Sequence, residues 1–287
     1  MRRNIWIYFF QFFILINNSC VYFQKPELEI SSINWTGKTI SFVDLDDTYK
    51  RSNNFNKIWS KVNSSRYRPY YKFLGKNYRI IGKNDSFDHE FLIIEDLNGR
   101  RYKMKIDYEK SVGYQLPSYL LFEDTRIRAM DMIGSTIWLN DIYDPLGFYT
   151  YADYNFSRFE KVEIKDMISF QNSDFDYPIW FRIATRSGYE GFVRYNGNKE
   201  KIGKQDFYYV SDPLPVAWGK KTINLILSKK IEVGMSDNQV RISIGNPSDI
   251  NTTSSRHGVS EQWIYQDNIG NRTYLQFEYG ILKHINR

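Results

Sequence analysis

Alanine is almost missing from this chain of 287 residues, and its scarcity constrains the fold more than any other feature. It stands only at Ala129, Ala152, Ala184 and Ala217, whereas tyrosine and phenylalanine occur 23 and 20 times. Alanine is the best helix former, while aromatic and branched side chains pack well on the pleated surface of a sheet. The composition therefore disfavours long helices, and we predict a mainly β fold.

The first twenty residues indicate the cellular location of the protein. Arg2 and Arg3 form a basic start, and residues 5–16 are apolar except for Gln11. This run suits the apolar region of a signal peptide and is too short to cross a bilayer as a helix. We predict that residues 1–19 are a signal peptide and that the protein is exported.

The single cysteine, Cys20, stands directly after Ser19, where the apolar run has ended. In a lipoprotein, the signal peptidase would cut before Cys20, and the sulfur of Cys20 would carry a diacylglyceryl group; a small residue such as Ser19 suits that enzyme. Asn17 occupies the position where the bacterial lipobox usually has leucine. We predict an outer-membrane lipid anchor at Cys20, on the periplasmic or surface face, with a tether over residues 20–32. The alternative is a cleavable signal with an incidental cysteine.

Short strand-like runs separated by turns follow the tether. The clearest lie in residues 91–107, where Asn98-Gly99 joins two runs in a pair that suits a type I′ hairpin turn. From Tyr102 to Asp107 apolar and polar residues alternate, which is typical of a half-buried strand. A β-hairpin is predicted here.

The front of the protein is predicted to form one or two small antiparallel β-barrel or sheet domains, over residues 33–110 and 111–215. In residues 177–195 an apolar run turns at Ser187-Gly188 into Glu190-Gly191-Phe192-Val193. This pattern resembles the core of bacterial Src-homology-three-like barrels. The resemblance implies a binding role, often toward peptide or cell wall.

Helix signals concentrate near the C-terminus. A short helix is predicted over residues 222–228, and a second helix after Ser236. Ser236 and Gln239 have the spacing of a capping box, Gly245 suits the end of the helix, and Pro247 forbids its continuation. Three strand-like runs then follow up to residue 285.

Twelve residues of this C-terminal stretch stand in the order of a known family motif: Gly234, Met235, Ser236, Gln239, Val240, Gly245, Pro247, Trp263, Tyr265, Leu275, Phe277 and Gly280. This order, within residues 222–287, resembles the SmpA/OmlA (BamE-like) domain family of envelope lipoproteins. The resemblance implies a module of two helices and three antiparallel strands that binds other envelope or outer-membrane proteins. In the family this module assists outer-membrane assembly, so the protein is expected to act as a non-enzymatic binding or scaffolding module.

Alternation along the predicted strands indicates which face of the module is free. Four apolar residues with polar neighbours are expected to face the helices: Trp263, Tyr265, Leu275 and Phe277. An antiparallel sheet can leave its other face in water. We therefore predict a binding surface on the opposite face, including Gln262, Gln276 and Glu278, together with a loop from Thr252 to Val259.

A phosphatase is the main alternative. Asp44 and Asp46 stand after an apolar run in the pattern D-x-D-x-T, which resembles the first motif of the haloacid dehalogenase superfamily. The resemblance implies that Asp44 attacks phosphorus, that Asp46 serves as acid and base, and that Mg²⁺ offsets the charge. The later motifs would have to come from Thr185, one of Lys199, Lys201 or Lys204, and Asp212. That chemistry needs a doubly wound parallel sheet, which this sequence does not predict.

Other chemistries find little support in the sequence. His89, His257 and His284 are too scattered for a zinc-protease motif, and the basic residues form no stripe that would favour nucleic acid. We expect no catalytic residue, no metal, no cofactor and no nucleic-acid partner. A cell-wall or carbohydrate-binding lipoprotein is a third possibility, because exposed aromatic rings on a sheet can stack on sugars. Aromatic residues also dominate protein cores, which is the competing interpretation of the aromatic content.

Overall fold

A computed structural model describes residues 28–51, 55–86, 88–110, 113–151, 153–173, 177–197, 207–255, 258–267 and 269–287. The predicted signal peptide and Cys20 lie outside these residues. The described chain is mainly β, as predicted, with several antiparallel sheets and few helices.

The first sheet has six strands. They are β1 (Thr39–Phe42), β3 (Ser60–Lys61), β4 (Asn77–Ser86), β5 (His89–Asp96), β6 (Arg101–Ile106) and β9 (Leu120–Phe122). Their spatial order is β3-β6-β5-β4-β1-β9, and every neighbouring pair is antiparallel. The core beneath this sheet contains a cluster of aromatic rings. Phe42 lies at its centre, surrounded by Trp59, Tyr70, Phe73, Tyr78 and Tyr119.

The second sheet has seven strands. They are β2 (Asp44–Leu45), β10 (Thr136–Leu139), β11 (Phe148–Tyr149), β12 (Lys161–Gln171), β13 (Ile179–Ala184), β14 (Glu190–Arg194) and β15 (Tyr208–Tyr209). Their order is β11-β14-β13-β12-β10-β15, and β2 pairs in parallel with the end of β12. The hairpin predicted within residues 177–195 is therefore β13 and β14. A small two-stranded sheet is formed by β7 (Tyr108–Glu109) and β8 (Gly113–Tyr114).

The two large sheets exchange strands across the boundary predicted between residues 110 and 111. β2 precedes that boundary but belongs to the second sheet, whereas β9 follows it and completes the first sheet. Helix α2 (Glu123–Met130) begins directly after β9, and helix α1 (Asp47–Arg51) lies shortly after β2. In strands of two or three residues, apolar and polar residues cannot alternate long enough to indicate to which sheet the strand belongs. For this reason the sequence did not reveal the exchange.

The end of the predicted tether is attached to the first sheet. The backbone N–H groups of Ser31 and Lys83 each donate to the other's carbonyl oxygen at 2.8 Å. The side-chain nitrogen of Asn84 donates to the carbonyl oxygen of Glu29, also at 2.8 Å. Residues 29–31 are therefore held against β4.

The hairpin of β5 and β6 forms as predicted, but the turn type was predicted wrongly. A type I′ turn requires a positive φ at both central residues. Gly99 has one, of 73°, but Asn98 does not. The Gly99 N–H donates to the carbonyl oxygen of Asp96, and the Asp96 carboxylate accepts from the backbone N–H groups of Asn98 and Arg100, each at 2.9 Å. A type I turn followed by a left-handed glycine has this geometry. The Asp96 side chain stabilises it.

The C-terminal part contains two helices and a sheet of four strands rather than the predicted three. The helices are α3 (Gly219–Leu227) and α4 (Asp237–Ile244), and the strands are β16 (Asp249–Ser255), β17 (Gly258–Gln266), β18 (Arg272–Glu278) and β19 (Ile281–Asn286). The additional strand is β16, which lies at the edge of the antiparallel order β16-β17-β18-β19. It occupies much of the predicted Thr252–Val259 loop. Ile250 is its one large apolar residue, so it has no apolar alternation to reveal it.

Candidate binding surfaces

The capping box that the sequence predicts at Ser236 and Gln239 is formed, with both of its hydrogen bonds. The Ser236 hydroxyl accepts from the Gln239 N–H at 3.2 Å, and the Gln239 side chain accepts from the Ser236 N–H at 2.9 Å. This is a complete capping box, which satisfies two donors at the start of α4. Met235 and Val240 are buried beside it.

The three glycines of the same motif all have positive φ, where a side chain would be strained. The angles are 98° at Gly234, 88° at Gly245 and 73° at Gly280. Gly245 ends α4, and the buried Pro247 follows it. These motif residues shape the module, which explains their pattern without any chemical activity.

The predicted core positions of the C-terminal sheet face the helices. Trp263, Leu275 and Phe277 are at most 1% exposed, and the rings of Trp263 and Phe277 lie 4.3 Å apart. Tyr265 is only half-buried, and its hydroxyl donates to the carbonyl oxygen of Gly245 at 2.9 Å. Burial raises the pKa of the Tyr265 hydroxyl. The helix-facing side of this sheet is therefore closed.

The predicted binding residues lie on the opposite, outer face. Gln262 pairs with Gln276 across β17 and β18, and Gln276 pairs with His284 on β19. Glu278, on the same face, is exposed, while Gln262 and Gln276 are half-buried. The Gln276 amide donates to the hydroxyl of Ser260. The structure thus brings the three predicted residues together on one face, which also carries the Ile264–Tyr274 pair and which we call the outer face.

The residues of the phosphatase alternative serve as local structural groups. Asp44 is exposed and forms an ion pair with Lys50, 3.1 Å away. The Asp46 carboxylate accepts from the N–H of Thr48 at 2.8 Å, at the start of α1. The same hydrogen bond lowers the pKa of Asp46. The parallel sheet that the chemistry needs is not found in the described residues, where β2 and β12 form the only parallel pair.

The later phosphatase motifs lie elsewhere in the fold. Thr185 is in the turn of the hairpin of β13 and β14, where its hydroxyl accepts from the N–H of Tyr189 at 3.1 Å. Asp212 is exposed and accepts from the N–H of Leu214 at 2.9 Å. The candidates Lys199, Lys201 and Lys204 lie outside the described residues.

A cleft lies where the second sheet meets the C-terminal module. It has a volume of about 200 Å³ and a largely polar lining that includes Asn140, Asp212, Trp218, Asn238 and Arg241. The Arg241 guanidinium stacks over the ring of Trp263 at 4.4 Å and donates to the Asn246 side chain at 2.8 Å. Arg241 therefore has structural partners of its own in this cleft.

A second site was missed by the sequence interpretation. A groove of about 350 Å³ lies on the face of the second sheet that points away from its core. Its lining includes Asp46, Tyr149, Tyr151, Ile168, Trp180 and Phe192. We call it the aromatic groove. Its residues come from four strands, β11, β12, β13 and β14, and from segments beside them, so no single run of the sequence indicates the site.

The rings of the aromatic groove are packed edge to face. Tyr151 lies 4.6 Å from Tyr149 and 6.0 Å from Phe192, and it is 80% exposed. Trp180 is 96% buried in the same lining, and its indole nitrogen has no hydrogen-bond partner. The guanidinium of the fully buried Arg194 lies 4.4 Å from its ring centre.

Two features bear on metals and membranes. Across the described ranges, no three His, Cys, Asp or Glu residues are grouped as a metal site would need. None of the helices in the described part of the chain is both long enough and apolar enough to cross a membrane.

Comparisons with known proteins add no relative to this description. No protein-family model, no curated protein and no solved structure matches the chain. The similarities to the SmpA/OmlA and Src-homology-three-like families therefore rest on the residues named above.

Proposed function

We propose that this protein is an exported, lipid-anchored and non-enzymatic binding module of the bacterial envelope. The main observation behind the proposal is that the two faces of the C-terminal sheet differ. Helices and core residues close one face, whereas Gln262, Gln276 and Glu278 lie on the outer face, where Glu278 is exposed and the two glutamines are half-buried. A sheet face of this kind is available for docking another protein.

The order of structural elements also supports the resemblance to the SmpA/OmlA family. Two helices precede an antiparallel sheet, and the capping box and positive-φ glycines stand at the motif positions. Ahead of this module, the described strands between residues 28 and 215 form two large β sheets and one small sheet. We propose a scaffolding role in outer-membrane assembly or maintenance, with an envelope protein docking on the outer face.

Photocrosslinking from a single position tests the docking surface. A photoreactive amino acid is placed at Gln276 in the full chain, and a matched one at Lys105, which is exposed on the first sheet. We expect a discrete crosslinked envelope protein from position 276 and not from position 105. Identical products from both positions, or none from position 276, would contradict docking at the outer face.

Metabolic labelling tests the anchor separately. A palmitate analogue should label the wild-type protein, and the Cys20→Ser variant should lose the label while remaining exported. Equal labelling of both would show that Cys20 is not the anchor. This result would leave the photocrosslinking test of the outer face unaffected.

A phosphatase assay tests the non-enzymatic part of the proposal. The purified mature protein is expected to release no phosphate from a generic phosphomonoester in the presence of Mg²⁺. Magnesium-dependent turnover that the Asp44→Asn variant abolishes would establish the phosphatase alternative instead.

A further inference from the structure

We propose that the aromatic groove binds a short oligosaccharide of N-acetylated amino sugars. The groove spans neighbouring strands of the second sheet: Ile168 pairs with Trp180, and Phe192 pairs with Tyr149. It lies outside the C-terminal module, so the inference does not depend on the outer face or on what docks there.

The shape and lining of the aromatic groove fit a small ligand with apolar faces. Its volume of about 350 Å³ lies at the lower end of the roughly 300–1,000 Å³ typical of small-ligand sites. Tyr149, Tyr151 and Ile168 are 47%, 80% and 43% exposed, which leaves ring and aliphatic surface in water. The C–H faces of a sugar ring can cover such surface while its hydroxyl groups stay hydrated.

The polar groups select among sugars. The Trp180 indole N–H is buried without a hydrogen-bond partner, which is unfavourable, and an acceptor on a ligand that reached it would satisfy it. An acetamido group supplies a carbonyl acceptor and a methyl group for the apolar wall. Tyr151 contacts the rings of Tyr149 and Phe192 and is 80% exposed, so its ring is available to stack on a bound sugar.

The charge of the groove favours a neutral ligand over an anionic one. Among the described lining residues Asp46 is the only charged group, and its lowered pKa keeps it ionised near neutral pH. A carboxylate accepts hydrogen bonds from sugar hydroxyl groups and repels phosphate groups. The nearby Arg194 is fully buried, and it donates to the carbonyl oxygens of Leu146 and Tyr177 at 2.6 and 2.7 Å.

The position of the groove disfavours a peptide that joins the sheet as an additional strand. Peptides that join a sheet pair with a free strand edge through their backbone groups. The aromatic groove instead lies over β12, β13, β14 and β11, which are consecutive in the sheet and are paired with one another. Recognition on this face therefore depends on side chains, as stacking on a sugar does.

Calorimetric titration of the full mature chain tests the proposal. The probes are a trimer of N-acetylglucosamine, a trimer of glucose that lacks the acetamido groups, and an uncharged proline-containing peptide. We expect saturable binding of the N-acetylglucosamine trimer, at least tenfold tighter than that of the glucose trimer. No binding of either sugar, or tighter binding of the peptide, would overturn the proposal.

Three variants locate the site. Tyr151→Ala should weaken binding of the N-acetylglucosamine trimer at least tenfold. Tyr143→Ala is the matched control, since Tyr143 is 78% exposed and is not part of the groove lining, and it should leave binding unchanged. Trp180→Phe keeps a ring but removes the N–H, so it should reduce the preference for the acetylated trimer. Wild-type binding by Tyr151→Ala would place the site elsewhere, even if Trp180→Phe were poorly folded.

Discussion

The guanidinium of Arg158 donates from Nη1 to the carbonyl oxygen of Ser243 over 3.0 Å, across 85 positions of the chain. Nη2 donates to the neighbouring carbonyl oxygen of Ile242, and Nε donates to the Asn140 side chain at 2.8 Å. Burial lowers the pKa of Arg158, but an arginine remains protonated near neutral pH. A cation therefore stands at the C-terminal end of α4, where exposed carbonyl oxygens and the helix dipole favour one.

Removing this guanidinium should loosen the C-terminal module from the second sheet. In Arg158→Met, the carbonyl oxygens of Ile242 and Ser243 lose their donor, at a cost of about 1–3 kcal/mol. We expect faster hydrogen exchange in α4 and a lower free energy of unfolding in urea. The control is Arg186→Met, at an exposed position in the turn between β13 and β14. Unchanged exchange in α4 would mean that the guanidinium does not hold this junction.

The capping box should stabilise α4. Ser236→Ala removes the oxygen that accepts from the Gln239 N–H, and we expect a loss of about 1 kcal/mol in the free energy of unfolding. Ser236→Asn supplies another side-chain oxygen and should restore most of that loss, because asparagine is as good an N-cap residue. Chemical denaturation followed by circular dichroism measures both. Equal loss in both variants would show that the cap hydrogen bond is not the cause.

The core of the C-terminal sheet should be sensitive to cavities. Leu275 is fully buried among the helix-facing residues, so Leu275→Ala should lower the free energy of unfolding by about 2–5 kcal/mol. Lys283→Ala, at an exposed position of the same sheet, should change it by no more than about 0.5 kcal/mol. Urea denaturation of the two variants provides the comparison. Similar values for both would contradict the packing of Leu275 against α3 and α4.

Glu95 should make the first sheet less stable in acid. The hydrogen bond from Arg101, at 2.8 Å, lowers the pKa of the Glu95 carboxyl, and Arg79, 3.4 Å away, adds to the effect. Because the folded-state pKa is lowered, the carboxylate stabilises the fold above its ordinary pKa of 4.5, and this contribution is lost as the pH falls below it.

The Glu95→Gln variant measures this contribution. The two arginine side chains are 46% and 63% exposed, so the difference from wild type at pH 7 should be below about 1 kcal/mol. It should shrink toward zero at pH 3, as urea denaturation at the two pH values would show. Glu278→Gln, on the C-terminal sheet, is the control. A difference that grew in acid would have the wrong sign and contradict the assignment.

The sequence determined the features that arise from neighbouring residues. The alternation from Tyr102 to Ile106 is sufficient to place one face of β6 inside, because successive side chains of a strand point to opposite faces. The capping box of Ser236 and Gln239 forms within a single helical turn. The local steric and hydrogen-bonding preferences of these segments agree with the final fold, so they can be predicted without knowing any distant contact.

Only the tertiary structure decided which distant segments pair. Nothing in Asp44-Leu45 predicts its parallel partner Phe170-Gln171, and the polar run of β16 became a strand because β17 presents a matching edge. The aromatic groove likewise exists because strands separated along the chain bring Tyr149, Ile168 and Trp180 to one place. Such pairings depend on burial and on hydrogen bonds between the backbones of distant segments. A local sequence pattern therefore does not predict them.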